Sequence, residues 1–174
     1  IAPIYLLKEE PEEDQFVLAL TADQLDVDLD SGIEAALRRY LLSETRRRLH
    51  QPLFASRVML AYADRCAVCM LHHRPLLDAA HIIPDSEEKG LPIVPNGLAL
   101  CKIHHAAYDS DILGIRPDHT VEIRHDLLDE IDGPMLRHGL QQHHGQKLMN
   151  LPSRRADRPD PERLWVRYRR FTAA

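Results

Sequence analysis

Cysteine is scarce, with three residues in a chain of 174. Three cysteines cannot all pair, so a disulfide framework is not expected, and two of them fall as Cys66-Ala67-Val68-Cys69, a spacing suited to a metal. Long apolar runs are missing too. No segment approaches the ~20 residues that a membrane helix needs, so no membrane partner is expected. The start of the chain lacks a basic stretch followed by an apolar core, which argues against a secretory leader and for a cytoplasmic protein. Net positive charge is absent: the formal charge is −5, which argues against a protein that simply coats nucleic acid. Internal repeats and low-complexity tracts are absent as well. The length suits one ordinary domain, or one domain and part of another, and a chain of this size needs no staple for bulk stability.

What is present is segregated. Residues 1–30 carry one Lys against nine acids, and residues 31–60 carry six Arg against two. Residues 61–133 hold six bases and thirteen acids, and residues 134–174 hold nine bases and three acids. Two basic blocks therefore flank an acidic centre rich in histidine. Such a centre suits a cation and such flanks suit a polyanion, although solvated helix faces give the same pattern. Ile1 in first position makes a fragment of a longer chain the expectation.

Residues 4–7 and 16–20 read as two short strands around an acidic turn. A lone hairpin is marginal in water, so it is expected to belong to an upstream β-rich domain or to dock on the rest. Ser31-Gly32-Ile33-Glu34 is a capping-box pattern opening an amphipathic helix through Leu49, with Pro52 after its end. A second helix is expected from Phe54 to Asp64. Pro134 can open a helix that Gly145 closes. Residues 150–160 read as an extended linker. Asp160-Pro161-Glu162 then starts a helix whose apolar stripe is Leu164, Trp165, Tyr168 and Phe171.

The chemistry concentrates in the centre. Cys66-x-x-Cys69 and Cys101-x-x-His104 are two half-sites, each able to present two ligands to one tetrahedral ion. Four protein ligands leave no open coordination position, so the expected ion is a structural Zn²⁺. Between the half-sites, residues 76–83 read as a strand with His81 at its far end. A polar loop follows, then Asn96-Gly97-Leu98-Ala99-Leu100, then a helix carrying His104 and His105. Adjacent helix residues point about 100° apart. If His104 faces the zinc, His105 faces elsewhere and can look toward His81.

The order His81, Asn96, His105, set in CxxC…AHI…NGLALCxxHH, resembles the HNH endonucleases of the ββα-metal (His-Me finger) class over about residues 64–116. Tyr108-Asp109 and Leu113-Gly114-Ile115 resemble the restriction-type branch. The resemblance implies an α+β fold: two antiparallel strands and a helix around one catalytic divalent ion, pinned by zinc and flanked by helices. It also implies hydrolysis of a DNA phosphodiester. The residue types suit that reaction, which needs a base for water and a cation for charge on the phosphorane. His81 is the candidate base, since its imidazole is largely neutral near pH 7. His105 is the candidate ligand of a Mg²⁺ or Mn²⁺ ion. Asn96 either gives its carbonyl oxygen to that ion or holds the loop that aims His81.

Many members of the family carry Asp or His immediately before the base, where this chain has Ala80. Asp78 lies two residues earlier on the same strand face and could reach the ion directly or through water. Asp109, one helical turn beyond His105, could orient its imidazole. Either acid could equally be an ordinary surface group. The expected organisation is a β segment at 1–30, left from an upstream DNA-reader domain, a helical arm at 31–63, the nuclease module at 64–125 and a helical extension at 126–174. Arg46, Arg47, Arg48, Arg154 and Arg155 are the expected phosphate contacts. The reading is a metal-dependent, restriction-type DNA endonuclease of a prokaryote, of the kind in which an upstream domain often recognises modified bases. Double-strand cutting would favour a homodimer or sequential nicking. The alternatives are a zinc-stabilised DNA-binding module without activity and a nuclease acting on RNA.

Overall fold

The computed structural model describes residues 5–10, 15–19, 51–87 and 89–174. The chain divides into two units, Ile1–Arg47 and Arg48–Ala174. In the first, β1 (Tyr5–Glu10) and β2 (Gln15–Ala19) pair antiparallel, with a register shift between Leu6 and Lys8. The helix expected from Ser31 to Leu49, with Arg46, Arg47 and Arg48, lies outside the described residues.

In the second unit, residues 51–61 are helical (α1). Phe54, Val58, Met59 and Tyr62 recur at helical spacing and are buried on one face. The helix ends where Ala63 and Asp64 turn left-handed, at φ of 52° and 50°. A knuckle carrying Cys66 and Cys69 follows. It closes through Met70 at φ 63°, with the Cys66 amide donating to the Leu71 carbonyl at 3.0 Å.

Strands β3 (Leu77–His81) and β4 (Gly97–Cys101) pair antiparallel in the register Leu77↔Cys101 to His81↔Gly97. All five β4 residues are buried, as expected of an apolar run covered on both faces. The chain then passes directly into α2 (Lys102–Asp109). Cys101 stands at its N-cap position but gives no side-chain cap, because its Sγ faces the Cys66, Cys69 and His104 cluster. A hairpin of β5 (Leu113–Ile115) and β6 (Val121–Ile123) follows, then α3 (His125–Leu128), α4 (Pro134–Gly139) and α5 (Pro161–Ala173). The described residues thus form a mixed α+β fold of small antiparallel sheets and helices.

Two expectations are corrected. The helix opened by Pro134 stops at Gly139, not Gly145. Leu140 leaves helical geometry, and the Gly139 carbonyl accepts a hydrogen bond from His104 Nε2 at 2.7 Å. Gly145, at φ +75°, lies beyond the short 3₁₀ turn Gln141–His143, which His144 caps. In α5, Trp165 is exposed, and buried Arg167 takes an inner place beside Leu164 and Phe171. Its guanidinium donates to the Asp111 carboxylate and the Tyr108 carbonyl, and lies 4.6 Å from the centre of the Tyr108 ring. Gly114 makes room for this helix, since a Cβ there would stand 2.4 Å from the Phe171 ring. Asp160 caps α5 by accepting from the Glu162 and Arg163 amides at 2.9 and 3.0 Å. The stretch before it is held as a strap: the Asn150 amide donates to Ala67 O and the Asp160 amide to Pro95 O.

Candidate active site and metal centre

The knuckle, the end of β4 and the first turn of α2 bring four ligand atoms to one point. Cys66, Cys69, Cys101 and His104 place their Sγ and imidazole nitrogen atoms within 4.8 Å of one another. His104 Nδ1 stands 3.1 Å from Cys101 Sγ and 3.5 Å from Cys66 Sγ, and Cys69 Sγ stands 4.0 Å from Cys101 Sγ. Ligands at ~2.0–2.3 Å in a tetrahedron lie about 3.5–3.8 Å apart, and the observed separations fall on both sides of that range, so the cluster has the ligand set and approximate size of a Zn²⁺ site. Hydrogen bonds from the Cys66 and Cys69 thiols hold Cys101 far below the ordinary thiol range, while Cys69, bonded to Cys101 and Cys66, is raised. Burial opposes charge on His104, but its bonds to Cys101 and Cys66 outweigh that and raise its pKa to about 10. A metal and a proton therefore compete for Nδ1. The other ring nitrogen donates to Gly139 O, which fixes the tautomer that ligates through Nδ1.

One position along α2, His105 points away from this cluster. Its Nδ1 lies 3.3 Å from Asp78 Oδ2 and its Nε2 3.3 Å from Asp109 Oδ2. At 3.3 Å the His105 Nδ1–Asp78 Oδ2 pair is within hydrogen-bond reach. The other Asp78 oxygen accepts from Lys102 Nζ at 2.6 Å. Desolvation works against the Asp78 charge, but Lys102 and His105 outweigh it and keep the carboxyl below its ordinary range. The Lys102 contact has no signature in the sequence, because it forms only when β3 and α2 are packed.

His81 ends β3. Its ring stacks on Phe54 with centroids 4.0 Å apart and planes 14° apart. Its Nε2 is buried without a hydrogen-bond partner among the described residues. Burial lowers its pKa from the ordinary 6.5, Asp85 pulls the other way, and His105 adds to the lowering. The imidazole is therefore neutral over a wider pH range than a free one.

Asn96 is fully buried. Its Oδ1 accepts from the Ile83 amide at 2.9 Å, and its Nδ2 donates to the Ile83 and Leu91 carbonyls at 3.0 Å each. The carboxamide thus closes the loop between β3 and β4. Asn96→Ala would leave the buried Ile83 amide and carbonyl unpaired, each costing about 1–3 kcal/mol, and would free the more exposed Leu91 carbonyl to water. The expected loss is about 2 kcal/mol or more by denaturant unfolding. Asn96→Asp should also destabilise, because it removes both donated bonds. An Asn96→Asp protein of parental stability that binds Mn²⁺ more tightly would instead make the side chain a metal ligand.

Residues 66–116 match the family model described as HNH endonuclease. This segment is an HNH endonuclease domain. Members of that family are phosphodiester hydrolases. Among solved structures, the chain is similar to one described as a modification-dependent TagI restriction endonuclease. The identity is 18%, over 66% of this chain and 36% of that one, with a TM-score of 0.48. No curated protein matches the chain. No helix among the described residues is long and apolar enough to cross a membrane.

Within the HNH domain, the structure brings Asp78 and Asp109 to His105 and places Asn96 in the loop beyond His81. Arg154 and Arg155 are exposed on the strap, with Arg154 Nε 3.7 Å from Asp157 Oδ2. Phe54 was not among the expected site residues. It reads in the sequence as one more core position of a helix, and nothing local distinguishes it.

Proposed function

We propose that the protein is a metal-dependent DNA endonuclease of the restriction type, with residues 64–125 as a zinc-pinned ββα-metal nuclease module. The observation that carries this reading is His105 set between Asp78 and Asp109, on the same short helix that presents His104 to the Cys₃His cluster. A binding module without activity has no use for a second histidine held between two carboxylates beside a complete zinc site.

In this reading His81 takes the proton from the water that attacks phosphorus. Stacking and burial keep its imidazole neutral for that task. His105 Nδ1 and Asp78 Oδ2 would hold a Mg²⁺ or Mn²⁺ ion, which supplies Lewis-acid stabilisation of charge on the scissile phosphate. Asp109 accepts from His105 Nε2 and orients the imidazole. Asn96 holds the loop that follows the base. Cys66, Cys69, Cys101 and His104 hold a structural Zn²⁺. Arg154 and Arg155, with Arg46, Arg47 and Arg48, contact phosphates and carry no sequence information. Residues 1–30 would belong to an upstream reader of modified DNA, and 126–174 would extend the module. Were both strands cut, one such site per chain would require a dimer or successive nicks.

The test is cleavage of plasmids from hosts with different DNA modifications, and of an RNA of matched length, with Mg²⁺, Mn²⁺ or EDTA. Metal-dependent cutting of DNA is expected, with a preference for one modification state. Folded, zinc-loaded protein that cuts no DNA with either ion would refute the reading, and cutting of RNA alone would move it to a ribonuclease.

A further inference from the structure

The ring stacked on His81 comes from outside the HNH domain. Phe54 belongs to α1, upstream of residues 66–116, and is 2% exposed. It reaches the base because Gly97 stands directly opposite His81 in the β3–β4 ladder. A Cβ at position 97 would lie 3.0 Å from Phe54 Cζ and 2.4 Å from Val58 Cγ2. The missing side chain leaves a slot on the sheet, and α1 fills it. Tyr62, two turns beyond Phe54, donates from its hydroxyl to Gly97 O at 3.3 Å. Phe54, Val58 and Tyr62 thus fix the height and rotation of α1 over the last pair of the ladder.

The consequence falls on the imidazole. The terminal torsion of a histidine is broad and roughly two-fold, so a ring at a strand end has no intrinsic reason to hold one plane. A nearly parallel aromatic face at 4.0 Å supplies that reason.

We propose that Phe54 is a positioning residue of the reaction: its ring, seated in the slot left by Gly97, fixes the plane of the His81 imidazole and closes one of its faces to water. The inference rests on the reading of His81 as the base. It makes one side chain from outside residues 66–116 part of the catalytic alignment, so that this segment alone holds the reacting groups but not the wall that orients the base. Misplacement of a reacting group by about 1 Å can lower a rate by about 100-fold.

The test compares Phe54→Leu with Met59→Ala. Met59 is a buried residue of the same helix and has no ring contact with His81. Each protein is assayed for zinc content, melting, kcat and KM on plasmid DNA, and the chemical shifts of the His81 ring protons. Phe54→Leu is expected to keep its zinc, to hold KM within about two-fold and to lose about 10–100-fold in kcat. Its His81 ring protons should lose the shift imposed by the aromatic current of Phe54. Met59→Ala, assayed well below its melting temperature, should keep both kcat and the shift. If Phe54→Leu melts below the assay temperature, Phe54→Met takes its place. A Phe54→Leu protein with parental kcat overturns the proposal, and so does an equal fall in kcat for Met59→Ala. Failure of the base reading is distinguishable, because His81→Ala would then cut at the parental rate whatever Phe54 does.

Discussion

His81→Ala is expected to be folded, zinc-loaded and inactive. His81 stands at the end of β3, outside the Cys₃His cluster, so its removal leaves the zinc ligands intact. Its proposed task exists only in the reaction, and a positioned general base contributes typically ~10²–10⁴-fold. His105→Ala should also stop cleavage, but for a different reason. It takes one of the two candidate ligands from the divalent ion, so high Mg²⁺ or Mn²⁺ should restore part of the rate. No metal concentration should rescue His81→Ala.

The pH profile adds a second check. A general base works when neutral, and burial lowers the His81 pKa below 6.5. Activity should therefore rise with pH through a midpoint below 6.5 and then level off. The decisive measurement is cleavage by both variants across a metal titration, with thermal melting as the control. Parental cleavage by a folded His81→Ala protein would remove His81 from the mechanism.

The second large effect is on folding. Cys69→Ala is expected to lose zinc and with it the structure of the HNH domain. The cluster ties together the knuckle after α1, the end of β4, the first turn of α2 and, through His104 Nε2, the end of α4. These pieces are far apart in the chain, and a Zn²⁺ ion bound to the cluster would make their approach favourable. Structural zinc contributes roughly 10–16 kcal/mol of apparent binding free energy in small zinc domains, which exceeds the net stability of most domains. Elemental analysis should find one zinc per parental chain, and Cys69→Ala should show no cooperative melt. Well-folded protein without zinc would refute the assignment.

Part of this molecule was legible without coordinates, for a physical reason. Ligand spacing of the CxxC and CxxH kind is a property of one turn of chain, and so is the divergence of His104 and His105 on a helix. The apolar, β-branched run that marks β3, the capping Asp160 and the turn after Pro161 are equally local. What depended on packing was not legible. The role of the Asn96 carboxamide was open in the sequence, because a side-chain oxygen suits a metal or a backbone amide equally. The burial that aims it at Ile83 and Leu91 is a property of the whole loop. Trp165 looked like core and Arg167 like surface. The Asp111 carboxylate and the Tyr108 carbonyl reverse those places by giving the guanidinium partners inside. Gly139 ends α4 because its carbonyl turns to His104, a partner from another element. Phe54 is the extreme case. Its sequence neighbours make it an ordinary buried position, and only the empty place opposite His81 makes it a wall of the candidate active site. The chain by itself determined which chemical groups are present and their local geometry. The tertiary structure decided which of them share a face, because that depends on cavities and partners contributed by residues remote in sequence.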